Sequence, residues 1–116
     1  MKTVESGKRG EALAEKALNK AGMKTLARNY RFGHLELDLV MLERKSGTIV
    51  FVEVKARKSE KALYPREAIG SKKRMNLRRA AEGYCMQNQI VDTPCRFDVV
   101  EVWLDTKRVE HIENAF

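Results

Sequence analysis

Residues 51–58 read FVEVKARK. Val52, Val54 and Ala56 fall on one side of an extended chain, as the inner face of a buried strand would, because successive strand side chains alternate between faces. Glu53, Lys55 and Arg57 fall on the other side, with Phe51. A carboxylate and an amine two residues apart, on a strand that reads as central, need a partner or a purpose.

The preceding segment supplies a candidate partner. Over residues 34–43, Leu35, Leu37 and Leu39 alternate with Glu36, Asp38 and Val40, which predicts a strand with its acids on one face. The turn ERKSGT leads into a second strand over 48–56, so the two form a hairpin. If the acid faces coincide, Asp38 and Glu53 approach each other across the strands. Two carboxylates that close repel unless a cation lies between them. Mg²⁺ favours such oxygen ligands and keeps several waters. It lowers the pKa of a bound water and polarises a phosphoryl oxygen. Lys55, on the face of Glu53, would orient the attacking water or stabilise charge developing on the phosphate. The same residues also suit a cross-strand ladder of salt bridges on a solvated face. The apolar content of both strands, with Val40 and Phe51 on the acid face, favours a covered position.

Upstream, Ala14, Ala17, Leu18 and Ala21 repeat with helical spacing, predicting a helix over 8–21 that stops at Gly22. Glu11 shares the stripe of Ala14 and Leu18, so it faces inward, where it could reach a metal or hold a ligating water. It equally suits the helix dipole, a contribution of about 0.3–1 kcal/mol. Downstream, Ser71 reads as the N-cap of a helix over 72–88, with Leu77, Ala80, Ala81 and Tyr84 as its apolar stripe. Lys72, Lys73 and Arg74 occupy its first turn, where the macrodipole disfavours cations. Cations beside unsatisfied N–H groups there make a phosphate site instead. Lys73 borders the stripe and would face the carboxylates. Residues 24–31, 96–104 and 108–113 read as further strands, and 57–70, with Pro65 and Gly70, as a loop. The order α-β-β-β-α-β-β predicts an α/β fold, a mixed central sheet flanked by helices, in one domain spanning 1–116.

The 116 residues carry a net charge of +7, unevenly spread. Lys55 to Arg79 holds ten basic residues, among them Arg57, Lys58, Lys72, Lys73, Arg74 and Arg78, against two acids, Glu60 and Glu67. That window is +8 and the remainder −1, which points to a polyanion, most often nucleic acid. No apolar run approaches the length of a membrane span, and the N-terminus lacks the apolar core of a signal peptide, so a cytoplasmic protein with no membrane partner is expected. Cys85 and Cys95 have neither metal-site nor disulfide-framework spacing. His34 reads as a surface position at the hairpin entry, and His111 has no partner nearby in sequence. There is no Ser/His/Asp arrangement, P-loop or dinucleotide fingerprint.

An acid on an N-terminal helix, then ELDLV, then VFVEVKAR, resembles the PD-(D/E)xK nuclease superfamily. The ordered set GKRGEALAEKAL, ARNYR, ELDLVML, VFVEVKAR, RFDVVEV and HIENAF resembles the YraN-like UPF0102 family over nearly the whole chain. The resemblance implies a restriction-endonuclease-like core, similar to the Holliday-junction resolvases, with Mg²⁺ or Mn²⁺ held by Asp38, Glu53 and the backbone carbonyl of Val54. It implies Lys55 as the catalytic lysine, Glu11 as an accessory acid and Lys73 as an added basic group. One departure stands out: the family commonly has glycine where this chain has Leu35, which would change how the strand meets its neighbour.

The expectation is a metal-dependent endonuclease-like protein acting on DNA, with branched or single-stranded DNA as substrate. A homodimer would suit cleavage of two strands. The alternatives are a non-catalytic nucleic-acid-binding module of the same fold, and an interaction protein whose acid face is a salt-bridge ladder. The complete acid–acid–lysine set favours the first, because binding alone does not require Asp38 and Glu53.

Overall fold

A computed structural model describes residues 4–59 and 69–116 of the chain. The predicted loop over 57–70, Pro65 included, therefore lies largely outside the described residues. The elements run α1 (Val4–Lys20), β1 (Met23–Phe32), β2 (Leu35–Glu43), β3 (Thr48–Arg57), α2 (Ser71–Gln87), β4 (Cys95–Trp103) and β5 (Arg108–Ile112). This is the predicted α/β order. The strands form one five-stranded mixed sheet in the order β1-β2-β3-β4-β5. Only the β3–β4 pair is parallel among the described strands, and α2 lies in the connection between them.

The apolar periods explain this layering. Ala14 and Leu18 of α1 pack with Leu39, Met41, Val50, Val52, Val54, Val100 and Val102 on one face. Leu77, Ala80, Ala81 and Tyr84 of α2 pack with Leu37, Val40, Ile49 and Phe51 on the other. β3 is thus covered on both faces, as its apolar residues of both parities require. Aromatic contacts run across the α2 face. Tyr30 and Tyr84 meet edge-to-face at 5.1 Å between centroids, Tyr84 and Phe51 at 6.0 Å, and Phe51 lies 5.4 Å from Phe97. Phe116 stacks on Phe97 at 4.9 Å, and the Ala115 N–H donates to the Phe97 carbonyl, so the C-terminus is tied to β4.

Two glycines place α1. Gly22, at φ +96°, adopts the left-handed conformation that ends helices without a Cβ penalty. At Gly10 a Cβ would lie 2.7 Å from the Ala56 Cβ. Hydrogen at that position lets α1 press against β3 one residue beyond Lys55.

Two readings of the sequence require correction. Ser71 is the first helical residue and not the cap; the N-cap is Gly70, with extended backbone and no side-chain cap bond. The alternation of β2 also breaks. Leu35, Leu37, Val40 and Leu42 belong to the α2-side cluster, but Leu39 and Met41 belong to the α1-side cluster. The parity therefore slips by one at Asp38. β1 slips with it: Ala27, Tyr30 and Phe32 all pack on the α2 side. The ladder pairs Arg28 with Leu39 and Tyr30 with Leu37, leaving Asn29 opposite Asp38 between them. Asn29 has φ +48°, a left-handed conformation that few residues other than glycine and asparagine adopt routinely. Asn29 resets the face of the strand a second time, after the register shift between Thr25 and Ala27 that separates Met23 on the α1 side from Ala27 on the α2 side. Glu36 and Asp38, expected on one face, are separated by the slip.

No helix among the described residues is long and apolar enough to cross a membrane. Leu35, the departure from the family pattern, pairs with Phe32 at the end of the β1–β2 hairpin and packs on the α2-side cluster.

Candidate active site: two acids and a lysine on the central strands

β2 and β3 pair regularly from Glu43–Thr48 to Leu39–Val52. Continued by one residue, that register sets Asp38 opposite Glu53. The Asp38 side chain is buried, and its Oδ2 accepts the Val54 N–H at 2.8 Å. The carboxylate of β2 thus sits against the middle residue of the Glu53-Val54-Lys55 triplet. A carboxylate that accepts backbone N–H bonds is favoured in its charged form.

Glu53 and Lys55 share the parity of Phe51 and face the α2 side. The Glu53 side chain is 14% exposed, and its Oε1 lies 3.7 Å from Lys73 Nζ in the first turn of α2. Helical spacing accounts for this contact: Lys73 precedes Leu77 and Ala80, two buried residues of α2, by four and seven. The sequence-based expectation that Lys73 faces the carboxylates matches this geometry.

β4 adds a residue that sequence reasoning did not single out. Glu101 stands beside Lys55 in the parallel ladder and is buried. Its Oε2 accepts from Arg57 Nε at 3.1 Å, with both side chains nearly enclosed. Glu101 carried the same signal as Glu53, an acid inside an apolar run, VVEVW. Arg57, expected to contact nucleic acid, therefore points at Glu101 and not into solvent.

The remaining expected residues separate into groups. Glu11 of α1 is half-buried, and its Oε1 accepts from Asn29 Nδ2 at 2.9 Å. The same amide donates to Glu36 Oε1 at 3.2 Å. Glu11 is thus brought to Glu36, two residues before Asp38. Lys72, Lys73, Arg74 and Arg78 are all exposed on α2. Arg74 Nε donates to the Ile69 carbonyl at 2.8 Å. The Arg78 guanidinium lies over Phe97 and Phe116, 5.8 and 5.9 Å from the ring centroids. Lys58 is exposed and lines a shallow cavity of about 330 Å³ with Arg9, Leu104 and Asp105.

No group of three or more His, Cys, Asp or Glu side chains is arranged to hold a metal among the described residues. Asp38, Glu53 and the Val54 carbonyl supply oxygen donors, the type a hard divalent ion takes. Mg²⁺ is commonly bound through one or two carboxylates, with water completing its shell.

His111, without a partner in sequence, acquires one in space. Its Nε2 lies 2.6 Å from Asp98 Oδ2 on the α1 face. Arg96 Nε and the Asn114 backbone N–H donate to Asp98 Oδ1, both at 3.1 Å, and Asp98 is fully buried. Burial pushes the Asp98 carboxyl upward, but the bonds from His111, Arg96 and Asn114 hold it below its ordinary value. Cys85 is partly buried and Cys95 exposed, and both are free thiols. Partial desolvation of its sulfur, although the residue as a whole is exposed, together with the neighbouring Cys85, pushes the Cys95 thiol up to about 11, away from thiolate reactivity at neutral pH.

Fold and site together define a class: a mixed-sheet α/β protein with a carboxylate–lysine cluster on its central strands and cations on the adjoining helix. The chain belongs to the uncharacterised protein family UPF0102, whose family model matches residues 10–102. A UPF0102 protein of Clostridioides difficile is 41% identical over 116 residues, all of both chains. One from Chlorobium chlorochromatii is 42% identical over 123 residues, covering 98% of this chain and 92% of its own. One from Bifidobacterium longum subsp. infantis is 46% identical over 114 residues, covering 95% and 91%.

Proposed function

We propose that this protein is a metal-dependent DNA endonuclease acting on branched or single-stranded DNA. The observation that carries the reading is the Asp38 carboxylate seated on the Val54 N–H, between Glu53 and Lys55. Asp38, Glu53 and the Val54 carbonyl would hold Mg²⁺ or Mn²⁺, which supplies an activated water and charge neutralisation at the phosphate. Lys55, on the same face as Glu53, would supply an ammonium to the phosphate. Lys73, at 3.7 Å from Glu53, extends positive charge from the site onto α2. Lys72, Arg74 and Arg78 would continue it along the DNA backbone, a contact that neutralises phosphates without reading sequence. Lys58, just past the C-terminal end of β3 and beside Arg9 of α1, would take a phosphate outside that line. A second copy of the chain would serve a second strand.

The test incubates the protein with Mg²⁺ or Mn²⁺ and linear, single-stranded, flapped and four-way DNA, alongside Asp38→Ala and Lys55→Ala. Cleavage by the wild type alone supports the reading. Cleavage that survives both substitutions sinks it, and binding without cleavage on every substrate leaves a binding module of the same fold.

A further inference from the structure

Asn29 is the residue of β1 with a positive φ. Its φ of +48° coincides with the slip in both β1 and β2, and it stands opposite Asp38. Its side-chain amide turns toward α1 and donates to two carboxylates, Glu11 Oε1 at 2.9 Å and Glu36 Oε1 at 3.2 Å. Glu11 comes from α1, which reaches β3 closely because Gly10 has no side chain. Glu36 comes from β2, two residues before Asp38. An amide NH₂ has two N–H donors and no charge. It can therefore hold two acids side by side, each accepting one bond, without neutralising either.

We propose that Asn29 is a positioning residue. It ties Glu11 of α1 to Glu36 of β2, two residues before Asp38, and so fixes where that accessory acid stands relative to the site. The consequence for a bound divalent ion rests on the nuclease reading; the hold itself does not. Residues that orient metal ligands through hydrogen bonds commonly change metal affinity about 10–100-fold when removed.

Two substitutions separate the amide from the backbone. Asn29→Gly keeps the left-handed conformation without strain but removes the donor. Asn29→Asp keeps size and tolerance of that conformation, and replaces the donor with a third acid. In metal-free protein, ¹⁵N NMR reads the Asn29 side-chain NH₂ directly. Its resonances should shift on Glu11→Gln and again on Glu36→Gln, while the thermal midpoint of Asn29→Gly stays near that of the wild type. NH₂ resonances indifferent to both Gln substitutions overturn the proposal.

Calorimetry with Mn²⁺ is the second arm. Wild type should bind, and Asn29→Gly should bind about tenfold more weakly, whereas Asn29→Asp, whose added carboxylate itself draws a cation, should bind more tightly than Asn29→Gly. Should wild type bind while Asn29→Gly matches it, the positioning role falls and the nuclease reading stands. Should wild type give no Mn²⁺ heat, the metal reading falls, and the NMR arm alone decides whether Asn29 holds the two acids. If Asn29→Gly does not fold, the NMR arm, which keeps Asn29 and changes only Glu11 and Glu36, decides the proposal.

Discussion

β3 and β4 carry two charged groups, on opposite faces and in opposite halves of the parallel pair. On the α1 face, in the N-terminal half, Asp98 takes bonds from Arg96, His111 and the Asn114 backbone, and Arg96 also reaches Glu43 at 3.0 Å. On the α2 face, in the C-terminal half, Glu53, Lys55, Arg57 and Glu101 gather beside the cation-rich first turn of α2. Both groups bury acids, which is costly without compensation. The first meets that cost with three donors and a C-terminus tied over β4. The second stands toward the carboxyl ends of the parallel strands, where open α/β sheets take their ligands. A buried acid surrounded by donors reads as structure. Acids and lysines gathered at a cation-lined edge are what the proposed DNA contact would use.

The largest expected effect falls on the first group. Asp98→Ala takes from His111 its acid and leaves the Arg96 guanidinium only Glu43 and Glu113, and should cost about 3–5 kcal/mol in urea unfolding. The pH dependence should carry the same sign. The folded pKa of Asp98 is depressed, so its contribution is full above the unfolded carboxyl value of about 3.9 and fades as pH falls through the folded value. The stability gap between wild type and Asp98→Asn should narrow below about pH 4. A gap that persists there would mean that Arg96, His111, Glu43 and Glu113 rearrange around the amide.

Gly83→Ala should come next. A Cβ there would clash with Phe32 Cδ1 and lie 2.5 Å from its Cγ, and overpacking of this kind costs about 1–3 kcal/mol. Differential scanning calorimetry checks it. An unchanged midpoint would show that α2 can lift from β1.

Asp38→Asn tests the other side of the comparison. The amide oxygen can still accept the Val54 N–H, so stability should change by less than about 1 kcal/mol. Mn²⁺ heat and any cleavage should nevertheless disappear. A large loss of stability with metal binding intact would make Asp38 a second Asp98.

The smallest stability effect is expected at Lys73. Its side chain is 53% exposed, and such ion pairs contribute about 0.2–1 kcal/mol. Lys73→Ala should barely move the unfolding midpoint, while weakening DNA binding and reducing its salt dependence by about one phosphate contact. Fluorescence anisotropy across a salt series reads both.

The sequence by itself determined the elements and their order, because strand and helix periods are local. It also determined that β3 is covered on both faces, that Glu53 and Lys55 share a face, and that Lys73 borders the buried stripe of α2. Each of these follows from spacing within one element. Tertiary structure alone decided which strands meet and in what register. That placed Asp38 on the Val54 N–H, Glu101 beside Lys55, and His111 on Asp98, across separations of 13 to 46 residues. It also decided the slip at Asn29 and Asp38, which moved Glu36 away from the face its alternation predicted. A left-handed residue inside a strand has no periodic signature. Its effect appears only when the neighbouring strand slips in step.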